Sequence, residues 1–421
     1  MKMDFTDLLA AFSCDCGRVH SSEVKRIVME SGALIRLPEV IAEMGSFSRI
    51  GMICDENTYE VAGKRVEDMI APAQTVILDP THLHANERAV AEVQKRLASG
   101  LDLLVAVGSG TIHDITRYVA YHAGLSFISV PTAASVDGYV SNVAAMTWNG
   151  AKKTMTACAP LAMVADIEII AAAPMRLTAS GVGDMLGKYT ALLDWKIGKI
   201  FRDEYYCDRI VGLVEKALIN VKNSVEKLQD RDEDAVALLM YGLVLSGVAM
   251  QHTGISRPAS GSEHHISHFI EMTVSPEVCD ALHGEKVGVG LMLVSRLYHA
   301  LDAFSDGEIA ERLSDYALAT DGYLSEKFGP LSDEIRKENA KDCAEGITRE
   351  EILSHLADIR REIAGLPTEE ELAPIFDACG ACKTLSDIGL SEEEMLPELY
   401  AIAPLVRNRL TLMRLLRTFA F

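Results

Sequence analysis

The stretch from Leu103 to Met146 constrains the fold most, because it carries a strand, a glycine turn opening a helix, a second strand and a polar loop in immediate succession. Leu103 to Val107 is a short unbroken apolar run, the pattern of a strand buried on both faces. Gly108, Ser109 and Gly110 interrupt it. Ile112, Ile115, Val119 and Ala120 then recur at helical spacing over Thr111 to His122, so a helix begins just past the glycines. Unpaired N–H groups, the positive end of the helix dipole and glycines that permit close approach together form a cradle for a pyrophosphate. GSGTIH holds the first two glycines of GxGxxG but has His113 in place of the third, and taken alone it reads better as an ordinary strand-to-helix turn. A second feature points the same way. Ser126 to Val130 is another buried-strand run, ended by Pro131, and the loop from Thr132 to Gly138 leaves it. Ligands of open parallel sheets sit beyond the carboxyl ends of strands, so both loops should line one crevice.

The rest of the first half extends this pattern. A short helix is expected over Glu23 to Ser31, an edge strand over Ala33 to Leu37, strands over Arg49 to Cys54 and Thr75 to Asp79, a helix over His82 to Ala98, and a last strand over Leu161 to Asp166. Strands alternating with helices predict a parallel sheet covered on both faces. Asp55, at the end of a strand, suits a hydrogen bond to an adenosine ribose and would repel a 2′-phosphate; helix capping explains an acid there equally well.

The 421 residues suffice for two sizeable cores, and an apolar content of 49% marks a globular chain. A net charge of −21 disfavours nucleic acid and anionic membrane surfaces, and the first residues lack a signal-peptide layout, so a cytoplasmic protein is expected, with neither nucleic acid nor membrane as partner. Nine irregularly spaced cysteines argue for reduced thiols. Cys14 with Cys16, and the CxxC of Cys379 and Cys382, are read as lacking a second CxxC or a nearby His to complete a zinc set, and so as ordinary thiols.

From Thr178 onward strand-like runs give way to helical periodicity, which places a boundary near Pro174 and predicts an α/β unit over 1–174 and an all-helical unit over 175–421. Expected helices include Gly183 to Ile200, Tyr206 to Glu226, Asp234 to His252, Lys286 to Asp302, Glu308 to Ala319 and Val406 to Arg417, the last with Arg407, Arg409, Arg414 and Arg417 on its polar positions. In this half Asp184 opens an apolar helical stretch, His264 and His268 share a helix face in GSEHHISH, and His283 follows in LHGEKVGVG. An acid and two imidazoles on separate helices are what a catalytic divalent ion needs, three ligands and an open position. Core packing for the histidines and a dipole role for the acid are the competing explanations, and spacing alone does not separate them.

GSGTIHD, VPTAASVDGYVSN, GDMLGKYTALLDW, SRPASGSEHHISH and LHGEKVGVG occur in this order. Together they resemble the glycerol-1-phosphate dehydrogenase family, which belongs to the superfamily of iron-containing alcohol dehydrogenases, glycerol dehydrogenases and dehydroquinate synthases. The resemblance implies an NAD- or NADP-linked oxidoreductase of phospholipid metabolism that interconverts sn-glycerol 1-phosphate and dihydroxyacetone phosphate. It further implies that Gly110, Thr111, Ile112, His113 and Asp114 hold the dinucleotide pyrophosphate, with Gly108 shaping the turn. Thr132, Ala133, Ala134, Ser135 and Ser141 should lie along the nicotinamide, and Asp137 and His268 should contact substrate. Asp184, His264 and His283 should bind one divalent metal, zinc above nickel or iron. Where some relatives place a fourth ligand this chain has Lys188, which cannot ligate and is expected to be free for an anionic substrate. Lys188, Arg257 and Lys286 are the candidates for the substrate phosphate, His268 for a proton relay, and a homodimer or larger homo-oligomer is expected. The alternatives are a glycerol or other polyol dehydrogenase, a dehydroquinate synthase-like lyase, and a non-enzymatic nucleotide-binding protein.

Overall fold

The computed structural model describes residues 3–421. A small antiparallel hairpin, β1 (Phe12–Ser13) and β2 (Val19–His20), precedes a sheet built from β3 (Arg26–Glu30), β4 (Ile50–Asp55), β5 (Gln74–Leu78), β6 (Leu103–Gly108) and β7 (Ser126–Pro131). A second hairpin, β8 (Val143–Trp148) with β9 (Ala151–Thr156), interrupts the alternation before β10 (Ala162–Asp166) completes the sheet. The six strands run parallel in the order β3-β10-β7-β6-β4-β5. Sequence order reverses between β4 and β6, so the crevice of this doubly wound sheet lies at their carboxyl ends, where Asp55 and Gly108 stand. Every residue of β6 is buried, as its unbroken apolar run requires.

Four features of this half differ from the expected pattern. The segment expected as a helix over Glu23 to Ser31 is strand β3, because β10 offers a parallel partner for Arg26–Glu30 that lies far along the chain. The expected edge strand at Ala33 to Leu37 is a 3-10 turn, Ala33–Arg36, leading into the Leu37–Met44 helix. The β8–β9 hairpin was not foreseen, although Asn149 and Gly150, both at positive φ, are the residues a tight hairpin turn requires. The helix expected over His82 to Ala98 spans only Glu87–Arg96, capped by the Asn86 side chain.

After β10 the described chain is helical. Gly187 divides the expected Gly183 to Ile200 helix into Met175–Leu186 and Lys188–Arg202. The Asp208–Ser224, Glu233–Thr253, Ser262–Thr273 and His283–His299 helices follow. Glu233–Thr253 is long and apolar enough to span a membrane, yet 78% of its most apolar window is buried inside the protein, as befits a central core helix. The segment expected as a helix from Glu308 to Ala319 is helical only over Asp306–Arg312. Near the end, only Leu412–Leu415 is α-helical, and Arg414, expected on a polar face, is fully buried with its guanidinium donating to Asp342 Oδ2 at 2.8 Å and to the Pro404 and Arg407 carbonyls. The largest core crosses the predicted boundary: Phe5, Leu8, Val24 and Met29 pack in one cluster with Val182, Leu243 and Leu291.

Candidate active site

Both loops predicted to flank a crevice are brought together and tied to each other. Thr132 N–H donates to the Gly108 carbonyl at 3.0 Å, and the Gly110–Ala123 helix starts on the cleft with Ser109, Gly110, Thr111 and Asp114 partly open. A Cβ on Gly110 would come within 2.6 Å of a Val136 methyl, so glycine is what lets the two loops meet. Ile112 and His113, expected among the pyrophosphate-holding residues, have fully buried side chains, which leaves their backbone as the part that can face a cofactor. The His113 Nδ1–H donates to the Ser109 carbonyl at 2.9 Å, and burial drives its pKa down to about 3, leaving a neutral ring packed edge-on against Tyr139. Ala133, Ala134 and Ser141 are likewise buried, as are Thr132 and Ser135 save for an edge of the loop. Tyr139 O–H donates to the Ala133 carbonyl at 2.6 Å, holding that loop's shape. Asp55 caps the helix that follows β4, its Oδ1 accepting from Thr58 N–H at 2.9 Å, and burial raises its pKa.

The helical residues converge as well. Gly183 faces Gly284 and Gly288, and a Cβ there would collide with the Gly284 carbonyl. The Met175–Leu186 and His283–His299 helices can therefore touch backbone to backbone, which sets Asp184 beside His283. The Ser262–Thr273 helix adds His264, and ligand atoms of Asp184, His264 and His283 all lie within 4.8 Å of one another. His264 Nε2 is 3.8 Å from Asp184 Oδ1, a separation two ligands of one ion adopt when each sits about 2.1 Å from it.

Two carboxylates that sequence reasoning missed orient the imidazoles. His264 Nδ1 hydrogen-bonds Glu263 Oε1 at 2.7 Å and His283 Nδ1 hydrogen-bonds Glu271 Oε1 at 3.0 Å. With both Nδ1 atoms occupied, the Nε2 atoms are free to ligate, the arrangement that outer carboxylates impose around protein-bound metals. The signal was present in the sequence, since both acids flank the histidine motif in GSEHHISHFIE. Asp184 is fully buried; burial alone would raise its pKa, but the Lys188 ammonium and the two imidazoles outweigh this and hold it at about 2. An ionised acid and two pre-oriented imidazoles, with the His283 side chain 25% exposed at the mouth, fit a divalent cation with an open coordination position.

Lys188 is not free, which corrects the expectation. Its fully buried ammonium bridges Asp184 Oδ1 at 2.7 Å and Asp137 Oδ2 at 2.8 Å, and the two carboxylates keep it charged. Asp137 also accepts from Ser246 O–H, and its own N–H donates to Asp184 Oδ2 at 2.9 Å. The loop after β7 and the metal-ligand candidates thus form one hydrogen-bonded unit. Arg257 lies elsewhere, engaged by Glu204 at 2.6 Å and the Leu410 carbonyl. Lys286 does remain close, donating to the Ala281 carbonyl. Lys152, brought in by the unforeseen β8–β9 hairpin, stands 3.5 Å from Glu271, and Arg407 donates to Thr154 on the same hairpin. His268 stacks 6.1 Å from His283 with its Nδ1 unpartnered among the described residues; burial, then Arg407, keeps the ring neutral.

Residues 28–174 match a family model described as iron-containing alcohol dehydrogenase. The chain is 38% identical over 307 residues to a Bacillus licheniformis glycerol-1-phosphate dehydrogenase, NAD(P)+, covering 70% of this chain and 76% of that one. It is 30% identical over 420 residues to the enzyme of that name from Geobacillus stearothermophilus, covering 98% and 97%. The chain belongs to the glycerol-1-phosphate dehydrogenase family. Its fold is shared with an archaeal halo-thermophilic Red Sea brine pool alcohol dehydrogenase, with a TM-score of 0.60 at 14% identity over 96% of this chain and 94% of that one. A glycerol dehydrogenase from Schizosaccharomyces pombe shares it too, with a TM-score of 0.54 at 16% identity, covering 87% and 91%.

Proposed function

We propose that this family member interconverts sn-glycerol 1-phosphate and dihydroxyacetone phosphate with NAD or NADP, using a cleft between an α/β unit, 1–174, and a helical unit, 175–421. The observation that carries the reading is the convergence of Asp184, His264 and His283 against a loop held by Asp137. A divalent cation, zinc in our reading, and a nicotinamide dinucleotide would supply, when bound, a Lewis acid for the substrate oxygen at C2 and a hydride carrier. The chain's own residues do the rest. Glu263 and Glu271 hold two imidazoles in the ligating tautomer, and Lys188 braces Asp184 and Asp137. His268, neutral and with a free ring nitrogen, is placed to pass a proton to or from the substrate hydroxyl.

The phosphate is assigned to Lys152 and Lys286, with Arg407 behind them. These cations stand around Glu271 and His268 in a chain whose net charge is −21, so the site's positive charge is local. The pyrophosphate is assigned to the backbone of Gly110 and Thr111 and the turn shaped by Gly108, and the ribose to Asp55, which favours NAD over NADP. Nine free cysteines suit the reducing cytoplasm in which we place the enzyme.

Following NADH oxidation with dihydroxyacetone phosphate, beside NAD reduction with glycerol 1-phosphate and with glycerol, tests the assignment. The phosphorylated pair should dominate by orders of magnitude. Equal turnover of glycerol would replace this reading with a polyol dehydrogenase.

A further inference from the structure

Away from the cleft, the structure completes a ligand set that the sequence left unfinished. The turn between β1 and β2 carries Cys14 and Cys16, and Gly17, at φ +83°, folds the strand back so that His20 returns beside them. Cys207, at the start of the Asp208–Ser224 helix, closes the group from nearly two hundred residues further along. We propose that Cys14, Cys16, His20 and Cys207 bind a structural zinc ion.

All four ligand atoms lie within 4.8 Å of one another. A tetrahedral ion with sulfur at about 2.3 Å and nitrogen at about 2.05 Å sets its ligands roughly 3.5–3.8 Å apart. Cys14 Sγ lies 3.6 Å from Cys207 Sγ, and His20 Nε2 lies 3.3 Å from Cys16 Sγ and 3.5 Å from Cys207 Sγ. These are three of the six edges of such a tetrahedron, one of them slightly short, and the other three lie within 4.8 Å. The histidine is oriented to ligate, because its Nδ1–H donates to the His252 carbonyl at 2.7 Å and so turns the Nε2 lone pair toward the thiols. His20 and Cys207 are fully buried, and among the described residues the hydrogen-bond partners of Nε2 are the Cys16 and Cys207 sulfurs. Three thiolates, one imidazole and Zn²⁺ carry a net single negative charge. Tyr205 O–H, 3.4 Å from Cys16 Sγ, can donate to a thiolate, and the guanidiniums of Arg18 and Arg209 stack on Tyr205 and Phe12 beside the site.

Three thiolates and one imidazole select zinc and leave no position for substrate, so the role is structural. The ion would join the first hairpin to the 205–207 segment and, through His20, to the end of the Glu233–Thr253 helix. That helix also carries Ser246, which holds Asp137 at the cleft.

Cobalt distinguishes this site from the cleft, because Asp, His and His cannot give a thiolate-to-cobalt charge-transfer band. The full chain reloaded with Co²⁺ should show that band, and zinc-grown protein should carry two ions per chain. Cys207→Ser should abolish the band and lower the count to one, while Asp184→Ala should keep the band. Should Cys207→Ser fail to fold, titrating the wild type with a mercurial serves instead, and should release one zinc as thiols are consumed. Absence of the band, mercurial titration without zinc release, or a Cys14–Cys207 disulfide in peptides mapped without reductant would each overturn the proposal.

Discussion

On one side of the cleft the chain presents backbone, at Ser109, Gly110 and Thr111, with Ile112 and His113 turned inward as packing. On the other it presents side chains, Asp184, His264 and His283, each carried by a different helix and each tied by a neighbour. The first wall is made by a turn a few residues long and is sensitive to any added atom. The second depends on helices that meet through glycine and on carboxylates that aim imidazoles, so it is sensitive to the loss of single polar atoms. The Asp137 to Asp184 hydrogen bond and the Lys188 bridge join the two walls.

The sharpest way to separate the walls is Asp184→Ala. Metal should be lost from the cleft and turnover should fall by at least about a thousandfold, with dinucleotide affinity largely kept. Metal analysis and binding titrations check it, and wild-type occupancy in the variant would remove the helical wall from the mechanism. Glu271→Gln should act more gently, weakening metal affinity by roughly 10–100-fold while excess metal restores turnover. A merely structural Glu271 would show no such rescue.

Gly110→Ala addresses the opposite wall. Its methyl would press on Val136, a crowding worth roughly 1–3 kcal/mol, so the KM for the dinucleotide should rise while metal content stays at the wild-type level. A variant that lost metal instead would show that the walls are coupled more tightly than their hydrogen bonds suggest.

The smallest effect concerns pH. Asp194, buried behind the helical wall, accepts from Ser262 N–H, Leu412 N–H and Tyr298 O–H, and burial pushes its pKa up to about 6. Between 3.8 and about 6 the folded chain holds a proton the unfolded chain has released, so this group's contribution to stability declines as pH rises through that window. Melting temperatures of Asp194→Asn should show a flatter profile there, and an unchanged slope would assign the dependence to other groups.

Much of the sheet was legible because β4, β5, β6, β7 and β10 are local apolar runs whose identity needs no partner. Strand β3 was not: Val24, Ile27 and Val28 also match helical spacing, and the pairing with β10 decided between them. The β8–β9 hairpin announced itself only through Asn149 and Gly150, and with it the approach of Lys152 to Glu271 went unseen. Arg257 and Lys188 look equally available along the sequence, yet Glu204 engages one and two carboxylates the other. Cys14 and Cys16 looked incomplete, although His20 lies four residues beyond Cys16, because the donor that closes their set, Cys207, comes from a distant segment.

By itself, the sequence determined the alternation of strands and helices, the glycine turn with the helix that starts on it, and the residue types able to bind a metal. These depend on hydrophobic period and backbone freedom within one or two elements. Only the tertiary structure decided which acid faces which imidazole, which lysine is engaged, and which cysteine meets His20. Such contacts depend on distances between segments that no local pattern encodes, and around Asp184, His264 and His283 those distances follow from helices packed close enough for glycine alone to fit between them.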